Sequence, residues 1–157
     1  MTNPIVQTTE TLETKAGAEG FDDFEFHTLV NDTAQAAYSV LREYSRHLGD
    51  TSLLPWPAAP ITHKDSIRNG VVGIFTRNDT PEESHKSWLK QKFDEGWKYG
   101  SVKDVEKKEH PCMLPYNELP LHHLMKDTIF GAVVRGFVST RKNATAKKLI
   151  EQFKSKR

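Results

Sequence analysis

His85, Trp88 and Trp97 bring an imidazole and two indoles close together, followed by Lys103, Lys107, Lys108 and the segment His110-Pro111-Cys112. An indole offers a flat face, and stacking of a base on an aromatic ring contributes about 1–3 kcal/mol. An imidazole can hydrogen-bond a base edge or a ribose. The lysines, with Arg42 upstream, can neutralise phosphate through charge-assisted hydrogen bonds. The set therefore suits a flat, anionic small molecule. Two plainer readings stay open at this level: Trp88 as a core residue of an amphipathic helix, and His85 as a surface or internally satisfied histidine. Trp97, Tyr99 and Trp56 read as structural clips, rings packed on prolines.

Catalytic patterns are thin. The chain has no Gly-x-Ser-x-Gly, P-loop or Gly-x-Gly-x-x-Gly. His122 and His123 are adjacent, so on a helix they diverge by about 100° and make no i, i+4 metal pair. His110 and Cys112 form a thiol–imidazole pair only on one face of an extended segment, without a third group to orient them. A nucleotide hydrolase built on Asp104 and His85 is a weaker alternative. No cofactor and no metal are expected, and no catalytic residue is assigned.

The totals set the frame. A net charge of +1 over 157 residues argues against a protein that holds nucleic-acid polymers by bulk electrostatics. The single Cys112 precludes an internal disulfide and fits a reducing compartment. With no membrane-length apolar run, a cytoplasmic protein is expected.

The elements that position these groups read as helices. Residues 1–20 are poor in hydrophobes and read as a flexible N-terminal arm. Asn31-Asp32-Thr33 can cap a helix carrying Ala37, Leu41, Tyr44 and Leu48, closed by Gly49. After a proline-rich connection, a second helix is predicted over about 62–76, with Ile67, Val71, Ile74 and Phe75 inward. The run Asn78 to Glu83 combines capping side chains, Pro81 and first-turn acids, a strong start for a third helix ending at Gly96. A fourth is predicted from about Glu118 to Ser139, with Leu124, Ile129, Val133, Val134 and Phe137 inward. Trp97–Tyr99 is expected to pair briefly with Met113–Leu114. Residues 141–157 form a basic tail around Leu149, Ile150 and Phe153, read either as a short amphipathic helix on the surface or as a solvated charged end, the latter preferred to a nucleic-acid patch.

The second and fourth helices resemble each other. Lys64-Asp65, Ile67, Val71-Val72 and Phe75 match Lys126-Asp127, Ile129, Val133-Val134 and Phe137, while Leu54-Pro55-Trp56 answers Leu114-Pro115-Tyr116. Matching Gly49 with Gly96 places Tyr38 opposite His85 and Leu41 opposite Trp88. The expected fold is thus mainly α: two pseudo-symmetric helical-hairpin repeats, about 31–77 and 80–140 within a 21–140 domain, with at most a short β-hairpin. A cleft between such halves is a natural binding site.

The residues His85-x-x-Trp88, Gly96-Trp97-x-Tyr99-Gly100-x-Val102-Lys103-Asp104, His110-Pro111-Cys112-x-x-Pro115-Tyr116, Leu119-Pro120 and Lys126-Asp127 resemble the RyR domain, the ryanodine receptor repeat, in its stand-alone prokaryotic and phage form. The first half adds Arg42, Tyr44, Leu48-Gly49-Asp50 and Pro55-Trp56-x-x-Ala59-Pro60, so the resemblance spans roughly Thr33 to Phe137. It implies a helical fold of two halves that holds an adenine nucleotide between them, with His85 and Trp88 at the base, Lys103 at the phosphate and Asp127 at the same cleft. The chain departs from the pattern by carrying Lys103 in place of an arginine, which loses a bidentate fork, and Tyr38 and Leu41 on the opposite wall. The ligand-binding set is therefore His85, Trp88, Lys103, Asp127, Tyr38, Arg42 and Lys107. The expected function is a non-catalytic module for a nucleotide-derived signal, a sensor or a phage sponge that sequesters a host immune signal. The alternative is a protein–protein interaction domain with a vestigial cleft, docking through its basic tail.

Overall fold

The computed structural model describes residues 13–140 and 144–157, with side chains over 23–139 and 147–157. Five helices dominate it: α1 (Glu13–His47), α2 (Ile61–Arg77), α3 (Pro81–Asp94), α4 (Leu121–Thr140) and α5 (Ala144–Ser155). Two-residue strands β1 (Lys98–Tyr99) and β2 (Glu109–His110) lie in the loop between α3 and α4. The fold is mainly α, as the periodicity predicts. Among the described residues no helix is long and apolar enough to cross a membrane.

Helix α3 starts where the local chemistry dictates. Thr80 accepts from the Glu83 backbone N–H while the Glu83 carboxylate accepts from the Thr80 N–H, a reciprocal capping box with Pro81 in the first turn. Two residues after α1 and α3 respectively, Gly49 and Gly96 turn the chain at φ +89° and +87°, a conformation that a Cβ disfavours. The turns that follow repeat locally. Pro55–Ala59 and Pro115–Leu119 form the same 3₁₀ turn, and Pro60 and Pro120 then accept the first backbone hydrogen bonds of α2 and α4. His63 therefore answers His123, and the ungapped match of Lys64-Asp65 with Lys126-Asp127 is out of step with the backbone.

Four expectations are corrected. Helix α1 does not begin at an Asn31–Thr33 cap but runs through it from Glu13, because Phe26, Leu29 and Val30 carry the same buried face into Ala34 and Ala37. Residues 1–12 of the expected arm lie outside the described residues. Of the two readings of the tail, the amphipathic helix holds and the solvated end does not: α5 buries Leu149 and Ile150 and stacks Phe153 on Phe26, centroids 4.0 Å apart, leaving Lys147, Lys148 and Lys154 outward. Met113–Leu114 is not the strand partner. Glu109–His110 pairs with Lys98–Tyr99, and in parallel, because the Asp104–Glu109 bridge doubles the loop back on itself. Tyr99 is 53% exposed, too open for a ring packed into a structural clip.

The core lies where α1, α2 and α4 meet, around Ala34, Ala37, Val71, Phe130 and Val134. Small side chains on α1 let the three helices approach closely. Helix α3 packs on α2 and α4 from the other side, and the cleft opens between these walls.

Candidate functional site

With the start of α3 fixed, residues 85, 88 and 92 share one face. His85 and Lys92 are buried and Trp88 half-buried. Trp88 is not sealed among aliphatics: it walls a cavity of about 180 Å³ with Leu41, Ile67, Lys103, His110 and Phe130, and a second of about 120 Å³ toward Tyr38, His63 and Trp97. An outer basin of about 410 Å³ continues from the first past Asp50, Lys103, His110, His123 and Lys126. Lys103 and His110 line all three. A dry cavity of ~150 Å³ is known to hold a single benzene ring, so the larger inner lobe, at about 180 Å³, is sized for a flat ring and the basin for its substituents.

His85 is committed within the protein. Its Nε2 lies 2.8 Å from the Leu114 carbonyl oxygen and its Nδ1 3.3 Å from the Asp127 carboxylate. Both partners accept, so the arrangement is complete when both nitrogens carry protons. Burial opposes that charge, but the Asp127 and Leu114 bonds outweigh it and raise the imidazole pKa. The ring stacks against Trp88 at 5.6 Å and leans on Tyr116. His85 thus fixes the indole and the Leu114 turn, and presents its ring rather than its nitrogens.

His110 sits between two indoles, edge-on to Trp88 at 5.2 Å and to Trp97 at 6.1 Å. Its Nδ1 accepts from the Cys112 backbone N–H at 3.0 Å, so in the neutral ring the proton is on Nε2. Burial, reinforced by Lys103 and Lys126, pushes its pKa down to about 3. The same burial lifts the Cys112 thiol to about 11. A neutral imidazole beside a protonated thiol is the reverse of an activated nucleophile.

Lys103 donates to Ser52 Oγ at 2.8 Å and lies 3.5 Å from Asp50 Oδ2. Burial lowers its pKa, against the pull of Asp50 and with help from Lys126. Burial first and the ammoniums second also depress His63 (Lys103, Lys92) and His123, the latter to about 4 through Lys126. Apart from the His85–Asp127 pair, the cleft around its mouth carries two ammoniums, one carboxylate and neutral imidazoles.

The predicted residues divide. His85, Trp88, Lys103 and Asp127 line one cavity, and buried Tyr38 reaches the adjoining lobe while its hydroxyl donates to the Leu54 carbonyl at 2.7 Å. Arg42 lines none of these cavities. Its guanidinium donates to the Leu53 carbonyl at 3.0 Å and pairs with Glu43, tying the proline-rich loop to α1. Lys107 points away, paired with Asp104 at 3.7 Å with its side chain 71% exposed. Trp56 is structural, edge-on to Tyr38 beneath Lys64 and Arg68. Asp50, Ser52, His110, His123 and Lys126 line the site but stand outside the predicted ligand-binding set. Helical spacing from Asp127 offered a signal for two of them, since 123, 126, 127 and 130 share a face of α4.

A family model for the RyR domain matches residues 75–129. That stretch is similar to a RyR domain. The matched stretch is narrower than the Thr33–Phe137 span over which the motifs run, and it holds Trp88, His85, Lys103, His110, Lys126 and Asp127. The opposite wall of the cleft, with Tyr38, Leu41 and Asp50, comes from helix α1 and its following loop, upstream of the match.

Proposed function

We propose that this RyR domain is a non-catalytic binding module for a nucleotide or nucleotide-derived small molecule with an adenine-type base. The observation that supports it is a half-buried indole, Trp88, walling a ring-sized cavity whose rim carries the Lys103 ammonium. In this reading the base stacks on Trp88 against Ile67 and Leu41, and Asp127 accepts from its exocyclic amine. His85 holds Asp127 and the indole in place. Phosphate lies outward, at Lys103. The setting is the cytoplasm of a bacterium, where the module senses a signal, or of an infected cell, where a phage-encoded copy sequesters one. The rival reading, partner docking through the basic tail, has only the charged face of α5 to offer, because Leu149, Ile150 and Phe153 face inward.

Isothermal calorimetry against ATP, ADP-ribose and cyclic AMP tests the reading. Binding of at least one should appear, weakened about 5- to 150-fold by Trp88→Ala, the equivalent of ~1–3 kcal/mol of stacking, and abolished by Lys103→Glu. Silence across that panel, with a folded protein, sinks it.

A further inference from the structure

The outer basin contains a cation that the reading above does not use. Lys126, on the face of α4 that also carries His123 and Asp127, lines both the basin and the inner lobe. It makes no ion pair or hydrogen bond with any other described residue. Every other charged group at the mouth is engaged. Asp127 answers His85, and Lys103 answers Ser52 and Asp50. Asp50 is itself held by its own turn, its Oδ1 accepting from the Ser52 N–H at 3.0 Å and the Ser52 hydroxyl at 2.6 Å.

Two ammoniums thus face one basin with a single carboxylate between them and their solvent. The imbalance is felt around them, since Lys126 lowers the proton affinity of Lys103, His110 and His123. Like charges held together without a full counter-charge are costly in a partly buried site, and a multivalent anion relieves that cost. Asp50 occupies Lys103 weakly, at 3.5 Å, and its turn begins at Gly49, whose φ of +89° gives the loop its sharp bend.

We propose that the mouth of the cleft is a phosphate subsite, in which Lys126 acts as a second cation beside Lys103 and Asp50 is a built-in counter-ion that an incoming phosphate displaces. The inference rests on the nucleotide reading for what fills the inner lobe, but not for the anion itself. It implies a ligand with a terminal phosphate or a diphosphate, whose charge of about −2 matches two ammoniums, in preference to a singly charged cyclic phosphodiester. Asp50, repelling that group, sets a threshold against weak anions.

Calorimetry on the full chain with ATP, adenosine and inorganic pyrophosphate separates the possibilities. Lys126→Met should weaken ATP and pyrophosphate about 10-fold, the value of one charged hydrogen bond, and adenosine by much less. Asp50→Asn should tighten both anions severalfold. Melting curves confirm that each variant folds, and Lys126, without a partner among the described residues, should leave the midpoint in place. Pyrophosphate binding that Lys126→Met leaves unaltered, or no pyrophosphate binding at all, overturns the subsite. So does weaker ATP binding by Asp50→Asn, which would make Asp50 an acceptor for a ligand hydroxyl. Pyrophosphate binding that depends on Lys126, without any ATP or adenosine binding in the inner lobe, would retain the subsite and discard the nucleotide reading.

Discussion

Replacing Asp127 by asparagine tests the hub beneath the site, because the geometry fixes which way its hydrogen bonds must run. The Leu114 carbonyl requires a proton on His85 Nε2. In a neutral ring Nδ1 is then an acceptor and faces the Asp127 carboxylate at 3.3 Å, acceptor against acceptor. The wild-type arrangement is satisfied only by the imidazolium, whose proton affinity is raised accordingly. Since the folded ring holds its proton more tightly than the unfolded one, this stabilisation is complete below pH ~6.5 and disappears as pH rises through the folded pKa. An asparagine amide can instead donate to neutral Nδ1, so Asp127→Asn keeps a bond at high pH and loses the charged one at low pH.

The size of the effect follows from bond type. A hydrogen bond to a charged group contributes ~1.5–3 kcal/mol and a neutral one ~0.5–1.5. The difference is about 1 kcal/mol, taken at the low end because the Asp127 side chain is 22% exposed. For a domain of this size that corresponds to a lower midpoint by about 2–4 °C at pH 5.5, closing to nothing or reversing at pH 8.5. His63, His110 and His123, whose depressed pKa values make acid destabilising, act alike in both proteins and cancel in the comparison. Thermal melts at pH 5.5, 7.0 and 8.5, with the His85 ring titrated by NMR, provide the assay. Parallel stability curves for the two proteins across that range would refute the reasoning.

Other outcomes follow from the packing. Phe153→Ala should cost about 2–3 kcal/mol, below the ~3–5 of a fully buried phenylalanine, and lower the melting midpoint by ~4–12 °C; an unchanged midpoint would mean that α5 is not docked on Phe26. Thr80→Ala removes half of the capping box and should cost ~1 kcal/mol, read by chemical denaturation. With its thiol buried and its pKa near 11, Cys112 should resist iodoacetamide at pH 8 in the native protein and react promptly in denaturant.

Helices α2, α3 and α4 were legible because their signals are local. A capping box, a proline in the first turn and a glycine at positive φ act on neighbours in the chain, and an apolar face repeats at a fixed period. The same locality put His85, Trp88 and Asp127 on helix faces that meet, and Lys103 in a turn that reaches them. The start of α1 was not legible at Asn31–Thr33, because residues able to cap the start of a helix do not do so when the apolar face that packs on α4 and α5 extends upstream of them. The docking of α5 depends on Phe26, far away in the chain. Arg42 and Lys107 were misplaced for a related reason: a long cationic side chain goes to the nearest acceptor, here the Leu53 carbonyl and the Asp104 carboxylate, and composition cannot say which is nearest. The sequence by itself determined the helices and the residue types that face a cleft. Only the tertiary structure decided that Asp50 and Lys126 meet Lys103 at its mouth, because charge balance in a cavity depends on distances that chain spacing does not encode.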